Sequence, residues 1–245
     1  MRCALAAVGF LNDDISYNRQ VIEDTLRVCS GKADLVLFGE AFLQGFYAAT
    51  FEEAHDETIA LSVEDDTITS LRAAAKAHNI AVSFGFIEKD ENCFYSSQMT
   101  IGKDGEILDL FRRVSKGWKL PHASGRYREG EGFHTFCYMD KTLAVGLCGD
   151  LWDDENVRQM RVLSPDAILW PVYTDFAADA WNTEIKHEYA QQAEFLGAKA
   201  LYINSYCVDK QQEEDIAKGG AALFENGSIT AETPAGKASL LFVNI

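Results

Sequence analysis

Residues 145–154 read VGLCGDLWDD: the apolar run 144–147 stops at Cys148 and Gly149 and gives way to an acidic, aromatic segment. A buried strand that ends there presents the Cys148 thiol at the C-terminal edge of a sheet. The Gly149 N–H is then left facing whatever the sulfur attacks. Free cysteines often serve only as small buried hydrophobes, so the reading depends on what surrounds this one. Further apolar runs at 4–10, 35–38, 80–87, 167–172 and 200–203 have strand length, and segments of helical period lie between them at 16–29, 62–78, 155–163 and 180–195. In the second of these, Ile68, Leu71, Ala74 and Ala75 recur at three- and four-residue spacing with charges between them. Strands alternating with helices predict an α/β fold. Two β-rich stretches, 96–111 with a KDGE turn and 221–243 with ENGS, predict antiparallel hairpins.

Two upstream segments bring chemistry toward the same sheet edge. In DLVLFGEAFLQGFY (34–47) a continuous apolar run, suited to a strand covered on both faces, ends in Gly39 and Glu40. A carboxylate there, among Phe38, Phe42 and Phe46, is expected to be partly desolvated and to suit the work of a general base. In EILDLFRRVSKGWKLP (106–121), Arg112, Arg113, Lys116 and Lys119 surround Phe111 and Trp118. A cation from this segment could stabilise a developing oxyanion. In α/β sheets, functional groups gather at the strands' C-terminal ends, where all three segments lead.

Glutamate, then lysine, then cysteine, in this order and each at the end of an expected strand, resemble the nitrilase or carbon–nitrogen hydrolase superfamily. The resemblance runs through nearly the whole chain. MRCALAAVGF is similar to the first core strand, YSSQMTIGKDGEILDLFRR to the hairpin before the lysine, and GEGFHTFCYMDKTLAVGLCGDLWDDENVRQM to the strand pair and nucleophile turn. DAILWPVYTD, AKALYINSYC and GGAALFENGSITAETPAGKASLLFVNI resemble the strands and hairpin that follow. It implies a four-layer αββα sandwich forming one domain over 1–245. It also implies hydrolysis of a non-peptide carbon–nitrogen bond in a small amide or N-carbamoyl compound, by way of a thioester on Cys148, without metal or organic cofactor. Glu40 would be the base, a lysine and the Gly149 N–H the oxyanion donors, and a homodimer the expected assembly.

One position departs from the pattern. The family's lysine directly follows an aromatic–Arg pair, and that place holds Arg113. A guanidinium is a bulky fork and a poor replacement for a point-like ammonium. Either the register slips and Lys119 or Lys116 reaches the site, or the protein is catalytically altered; Lys119 is preferred because it shares strand parity with Phe111 and Arg113. If neither lysine meets the Cys148 sulfur, a non-catalytic ligand-binding or regulatory member of the fold becomes the stronger reading, and a nitrilase acting on nitriles is a further alternative. Glu129 is the nearest candidate for a second glutamate that many members carry. Trp152, Trp170, Tyr173 and Phe176 follow strand ends and are candidates to line the pocket, and Asp150 is expected to support the nucleophile turn. An activated Cys148 is expected to ionise below the ordinary thiol pKa.

With a formal net charge of −16 and a pI of about 4.7, the chain lacks the basic stripes that neutralise phosphates, which argues against nucleic-acid and anionic-membrane partners. No run is long enough to cross a bilayer, and the opening residues read as a core strand rather than a signal peptide. The six cysteines, Cys3, Cys29, Cys93, Cys137, Cys148 and Cys207, form no C-x-x-C pair. Neither a zinc cage nor a disulfide framework is indicated, and reduced thiols suit a cytoplasmic enzyme. None of the five histidines has a spacing that marks it as a partner for Cys148.

Overall fold

The computed structural model describes residues 1–209 and 216–245. Fourteen strands are found among them: β1 (Arg2–Ala7), β2 (Gly9–Phe10), β3 (Leu35–Leu37), β4 (Ala81–Asp90), β5 (Cys93–Ile101), β6 (Ile107–Arg112), β7 (Thr135–Tyr138), β8 (Lys141–Val145), β9 (Ala167–Val172), β10 (Lys199–Asn204), β11 (Tyr206–Cys207), β12 (Ala221–Glu225), β13 (Ser228–Thr233) and β14 (Ser239–Asn244). The α-helices are α1 (Ile15–Cys29), α2 (Glu53–Ile59), α3 (Asp66–His78), α4 (Asp154–Leu163), the single turn α5 (Ala178–Ala180) and α6 (Lys186–Glu194). One six-stranded sheet has the order β14-β1-β3-β4-β5-β6 and the other β13-β12-β10-β9-β8-β7; β11 and β2 form a small parallel pair.

The period-two alternation of the strands explains the layering. Cys3, Leu5 and Ala7 of β1 point with Leu35 and Leu37 of β3 into a core shared with Leu143, Val145, Leu169, Leu201 and Ile203 of the other sheet. Ala4, Ala6, Val36 and Val82 point the other way, onto Ile22, Leu26, Ile68, Leu71 and Ala75 of α1 and α3. On the far side, Ala144, Ile168, Trp170, Ala200 and Tyr202 meet Val157 and Met160 of α4 and Tyr189 and Ala193 of α6. The layers are therefore α, β, β, α. A one-residue slip would exchange every core side chain for its outward neighbour, so burial on both faces fixes the register.

The two predicted hairpins are present, with Gly105 at φ +85° in one turn and Asn226 and Gly227 at +51° and +73° in the other. Helix α2 was not expected. Its seven residues carry little apolar periodicity, and its fully buried Asp56 instead binds Thr50 N, Phe51 N and the Tyr127 hydroxyl at 3.0, 2.9 and 2.7 Å. No described helix is long and apolar enough to cross a membrane.

Candidate active site

Strand β3 delivers Glu40 to a point between the sheets. Gly39 N donates to Ser205 Oγ at 3.2 Å and Glu40 N to the carbonyl of Val172, the last residue of β9, at 3.2 Å. Ala41 then turns the chain with φ +48°. That turn passes so close to Gly85 that a Cβ there would lie 2.3 Å from Ala41 N, so glycine is required at 85. The Glu40 side chain has no solvent exposure. Its Oε1 accepts from Ser96 Oγ at 3.0 Å and from Arg113 Nη1 at 2.8 Å, while Oε2 is buried without a hydrogen-bond partner.

Cys148 follows β8 and takes a left-handed conformation, φ +50°. For a non-glycine residue this costs about 1–3 kcal/mol, and the surrounding bonds hold it in place. Asp150 Oδ2 accepts from Leu147 N at 3.0 Å and Oδ1 from Ser115 N at 2.7 Å. Trp170 Nε1 donates to the Cys148 carbonyl at 2.9 Å, and Cys148 Sγ donates to the Tyr173 carbonyl at 3.6 Å. Burial, then the negative charge of Glu40, pushes the thiol up to about 12, and Arg113 only partly offsets them. The shift runs opposite to the lowering expected of an activated thiol. Burial also pushes Asp150 up to about 6.

The cation nearest these groups is Arg113. Its side chain, 5% exposed, donates through Nη1 to Glu40 and through Nε to Ser115 Oγ at 2.8 Å, and Nε lies 4.0 Å from Asp150 Oδ1. Burial works against its charge, but the adjoining acidic groups, Glu40 foremost, outweigh it and raise its proton affinity. Its Nη2 has no protein acceptor among the described residues and borders two glycines, where a Cβ would approach to 2.8 Å at Gly149 and 3.3 Å at Gly117. A guanidinium therefore fits because the flanking positions carry no side chain.

The predicted lysines lie elsewhere. The Lys119 ammonium meets Glu129 Oε1 at 2.7 Å and the Tyr127 carbonyl at 2.6 Å, and Lys116 is exposed. Past an irregularity at Thr100/Ile101 the β5–β6 ladder runs in register to Arg112, Arg113 N bonds the Ser96 carbonyl at 2.9 Å, and Lys116–Trp118 then turn as a short 3-10 helix. Glu129 is brought to Lys119 and is given no bond to Glu40 or Cys148. Trp152 is 43% exposed and packs on Trp170 and Tyr189, and Trp170 in turn bonds the Cys148 carbonyl. Gly149 and the Tyr173 backbone do border the site. Ser96 and Ser115, which orient Glu40 and Arg113, were not anticipated; isolated serines in a strand and a loop carry no spacing signal. Among the described residues no cluster of three or more His, Cys, Asp or Glu could hold a metal ion.

A buried carboxylate, a buried guanidinium and a thiol on a strained turn, gathered where two sheets of an αββα sandwich end, define a cysteine-centred site of the nitrilase type. A match to the carbon–nitrogen hydrolase family spans residues 5–245, and the chain belongs to that family. It is similar to an (R)-stereoselective amidase of Pseudomonas sp, 24% identical over 169 residues, 69% of this chain and 59% of that protein. It is also similar to N-carbamoylputrescine amidase of Solanum tuberosum, 26% identical over 176 residues, 68% of this chain and 57% of the relative. The chain thus spans less than three fifths of these curated relatives. In fold it matches an amidase from Nesterenkonia sp. AN1, solved after Michael addition of acrylamide at its active-site cysteine, with TM-score 0.80 and 20% identity over 100% of this chain and 93% of the other.

Proposed function

We propose that the chain, read as one hydrolase unit over 1–245, cleaves the carbon–nitrogen bond of a small amide or N-carbamoyl compound through a Cys148 thioester, with Arg113 in the place of the family's lysine. The observation that carries this is the Arg113 guanidinium held by Glu40 at 2.8 Å with its free Nη2 beside Gly149. As Sγ attacks the amide carbon, Glu40 takes the thiol proton, which a thiol with a raised pKa releases only in concert with bond formation. The carbonyl oxygen becomes an oxyanion that accepts from Arg113 Nη2 and the Gly149 N–H. Glu40 then passes the proton to the leaving amine as the C–N bond breaks. In the second half, Glu40 takes a proton from water, the hydroxide displaces sulfur from the thioester carbon, and the proton returns to the thiol. Arg113 stays charged throughout and moves no proton.

The relatives' amidase and N-carbamoyl amidase names support this substrate class. Cys148→Ala and Glu40→Gln should abolish ammonia or amine release while circular dichroism shows an intact fold. Normal release by either variant would sink the assignment. A second reading, a ligand-binding member without turnover, would be the stronger one with no cation at the site; Lys119 is paired with Glu129 and Lys116 is exposed, but Arg113 supplies the cation in their stead, so hydrolysis stays the first reading. Incubation of the wild-type chain with an amide panel separates the two: a mass increase on Cys148 or released ammonia supports hydrolysis, and binding with neither supports the alternative.

The reading extends to a small-molecule substrate with no nucleic-acid or membrane partner, and to a reducing compartment such as the cytoplasm, suited to six unpaired cysteines. It also includes a homodimer, for which α4 and the end of α6 offer Val162 and Phe195, 85% and 56% exposed.

A further inference from the structure

Beside the catalytic groups lies a recess of about 370 Å³, walled on one side by the segment after Glu40 and on the other by the turn after Arg113. Phe46, Tyr47, Phe51, Trp118 and Leu120 form most of its surface, and Gly117 forms part of the wall. Two contacts tie it to the chemistry. Gly117 borders Arg113 Nη2, and Phe46 stacks on Tyr173 at 4.6 Å between centroids and 11° between planes, while the Tyr173 carbonyl accepts the Cys148 thiol.

The walls are tightly packed; Thr50 and Lys119 are already engaged, and the Trp118 indole N–H is buried without a hydrogen-bond partner. Trp118 is 3% exposed and packs on Phe51 and Tyr127 at 5.9 and 6.1 Å. Thr50 is bound through both N and Oγ1 to the buried Asp56. The one charged group in the lining, the Lys119 ammonium, is turned to Glu129 and the Tyr127 carbonyl. Among its described lining residues the recess thus offers ring faces and edges, one unpaired indole N–H and no uncommitted charge to receive an anionic or cationic tail, and its volume sits at the small end of ligand pockets, roughly 300–1,000 Å³.

Resting on the hydrolase reading above, we infer that this recess takes the acyl substituent of an uncharged amide bearing an aromatic ring, with Phe46, Tyr47, Phe51, Trp118 and Leu120 as its specificity determinants. A ring placed there meets four aromatic side chains at once, and Gly117 and Phe46 join the recess to Arg113 Nη2 and to Tyr173, whose carbonyl accepts the thiol. A carboxylate in the same place would lose its hydration and gain no free cation.

The test uses the full chain carrying Cys148→Ala, so that binding is read apart from turnover. Titration calorimetry compares phenylacetamide, acetamide and succinamate. Phenylacetamide should bind about tenfold or more tighter than acetamide through ring burial and ring–ring contacts, and succinamate should be the weakest. Leu120→Asp and Tyr47→Ala, both at half-exposed positions, should each cut that preference at least about threefold while the circular dichroism spectrum is kept. Equal binding of phenylacetamide and acetamide, no binding of phenylacetamide, preference for succinamate, or selectivity indifferent to both variants overturns the inference. Ammonia release by the wild-type chain is scored separately. Selective binding without ammonia removes the hydrolase reading and leaves the recess assignment standing; ammonia without ring selectivity does the reverse.

Discussion

Gly149→Ala tests the site with a single methyl group. Gly149 does not have a left-handed backbone, so alanine is tolerated by the main chain and the effect comes from contact alone. The new Cβ would stand 2.8 Å from Arg113 Nη2, where ordinary contact begins near 3.4 Å, so the guanidinium must recoil by about 0.6 Å. It is anchored at the other two nitrogens, Nη1 on Glu40 and Nε on Ser115, both at 2.8 Å. A recoil of that size stretches both bonds toward the edge of hydrogen-bonding range and draws Nη2 off the oxyanion. Losing one such donor raises the barrier by about 3 kcal/mol, or roughly 10²–10³ in kcat, and overpacking costs about 1–3 kcal/mol of stability. The assay is steady-state ammonia release, with thermal unfolding to confirm that the variant is folded at the assay temperature. Gly117→Ala is the graded control: its Cβ would sit 3.3 Å from the same nitrogen, about 0.1 Å inside ordinary contact, and kcat should fall only a few-fold. Adding Arg113→Lys to Gly149→Ala makes room for the methyl, so the double variant should lose less than the sum of the single losses. Wild-type kcat in Gly149→Ala, or strict additivity in the double variant, would refute the placement of Arg113 over the oxyanion.

Arg113→Met leaves Glu40 buried without its ion-pair partner and should destabilise the fold by about 3–5 kcal/mol, with Arg113→Lys retaining part of both stability and turnover; denaturant titration that finds Arg113→Met as stable as wild type contradicts the buried pair. Glu40→Gln should speed alkylation of Cys148 at pH 8 even as turnover is lost, because it removes a negative charge that raises the thiol pKa and keeps the positive one that lowers it; an unchanged or slower rate, read by peptide mass spectrometry against exposed Cys137, goes against that account. Asp150, raised from 3.8 to about 6 in the folded state, binds a proton more tightly there than when unfolded, so its contribution to stability is full below pH ~4 and lost as pH rises through ~6. Relative to Asp150→Asn, wild type should therefore lose about 2 kcal/mol between pH 4 and 7, and a pH-independent difference would show that Asp150 titrates normally. Val162→Glu should weaken self-association in light scattering; if wild type is monomeric at the same concentration, the proposed dimer is wrong.

The fold was legible because burial on both faces of a strand leaves a mark that a single sequence carries. The runs 35–38, 167–172 and 200–203 are continuous and apolar, and each forms most of a central strand, β3, β9 and β10. Helix α2 was not legible, because its place depends on Asp56 reaching Thr50, Phe51 and Tyr127, partners that no local period announces. The ends of strands that carry Glu40 and Cys148 could be read for the same reason the strands could. Their orientation could not, since it rests on Ala41 and Cys148 in left-handed conformations and on bonds from Ser96, Ser115, Ser205 and Trp170 that cross between elements.

The cation shows most clearly where residue type and position pull apart. Type argued for a lysine, and Lys119 had the parity; position argued for Arg113, and the structure follows position. A strand's ladder fixes where each Cα lies before any side chain is chosen, so the β5–β6 pairing that ends at Ser97 and Arg112, with Arg113 N on the Ser96 carbonyl, sends residue 113 into the site whatever it is. The side chain must then be accommodated, and Gly149 and Gly117 supply the room for a planar fork that a point-like ammonium would not need. Substituting lysine at 113 would therefore leave unfilled space beside Gly149 as well as changing the geometry of the charge. The arginine and its two glycines are best understood as one unit, which is why a methyl at 149 and a shorter cation at 113 are expected to compensate each other rather than add.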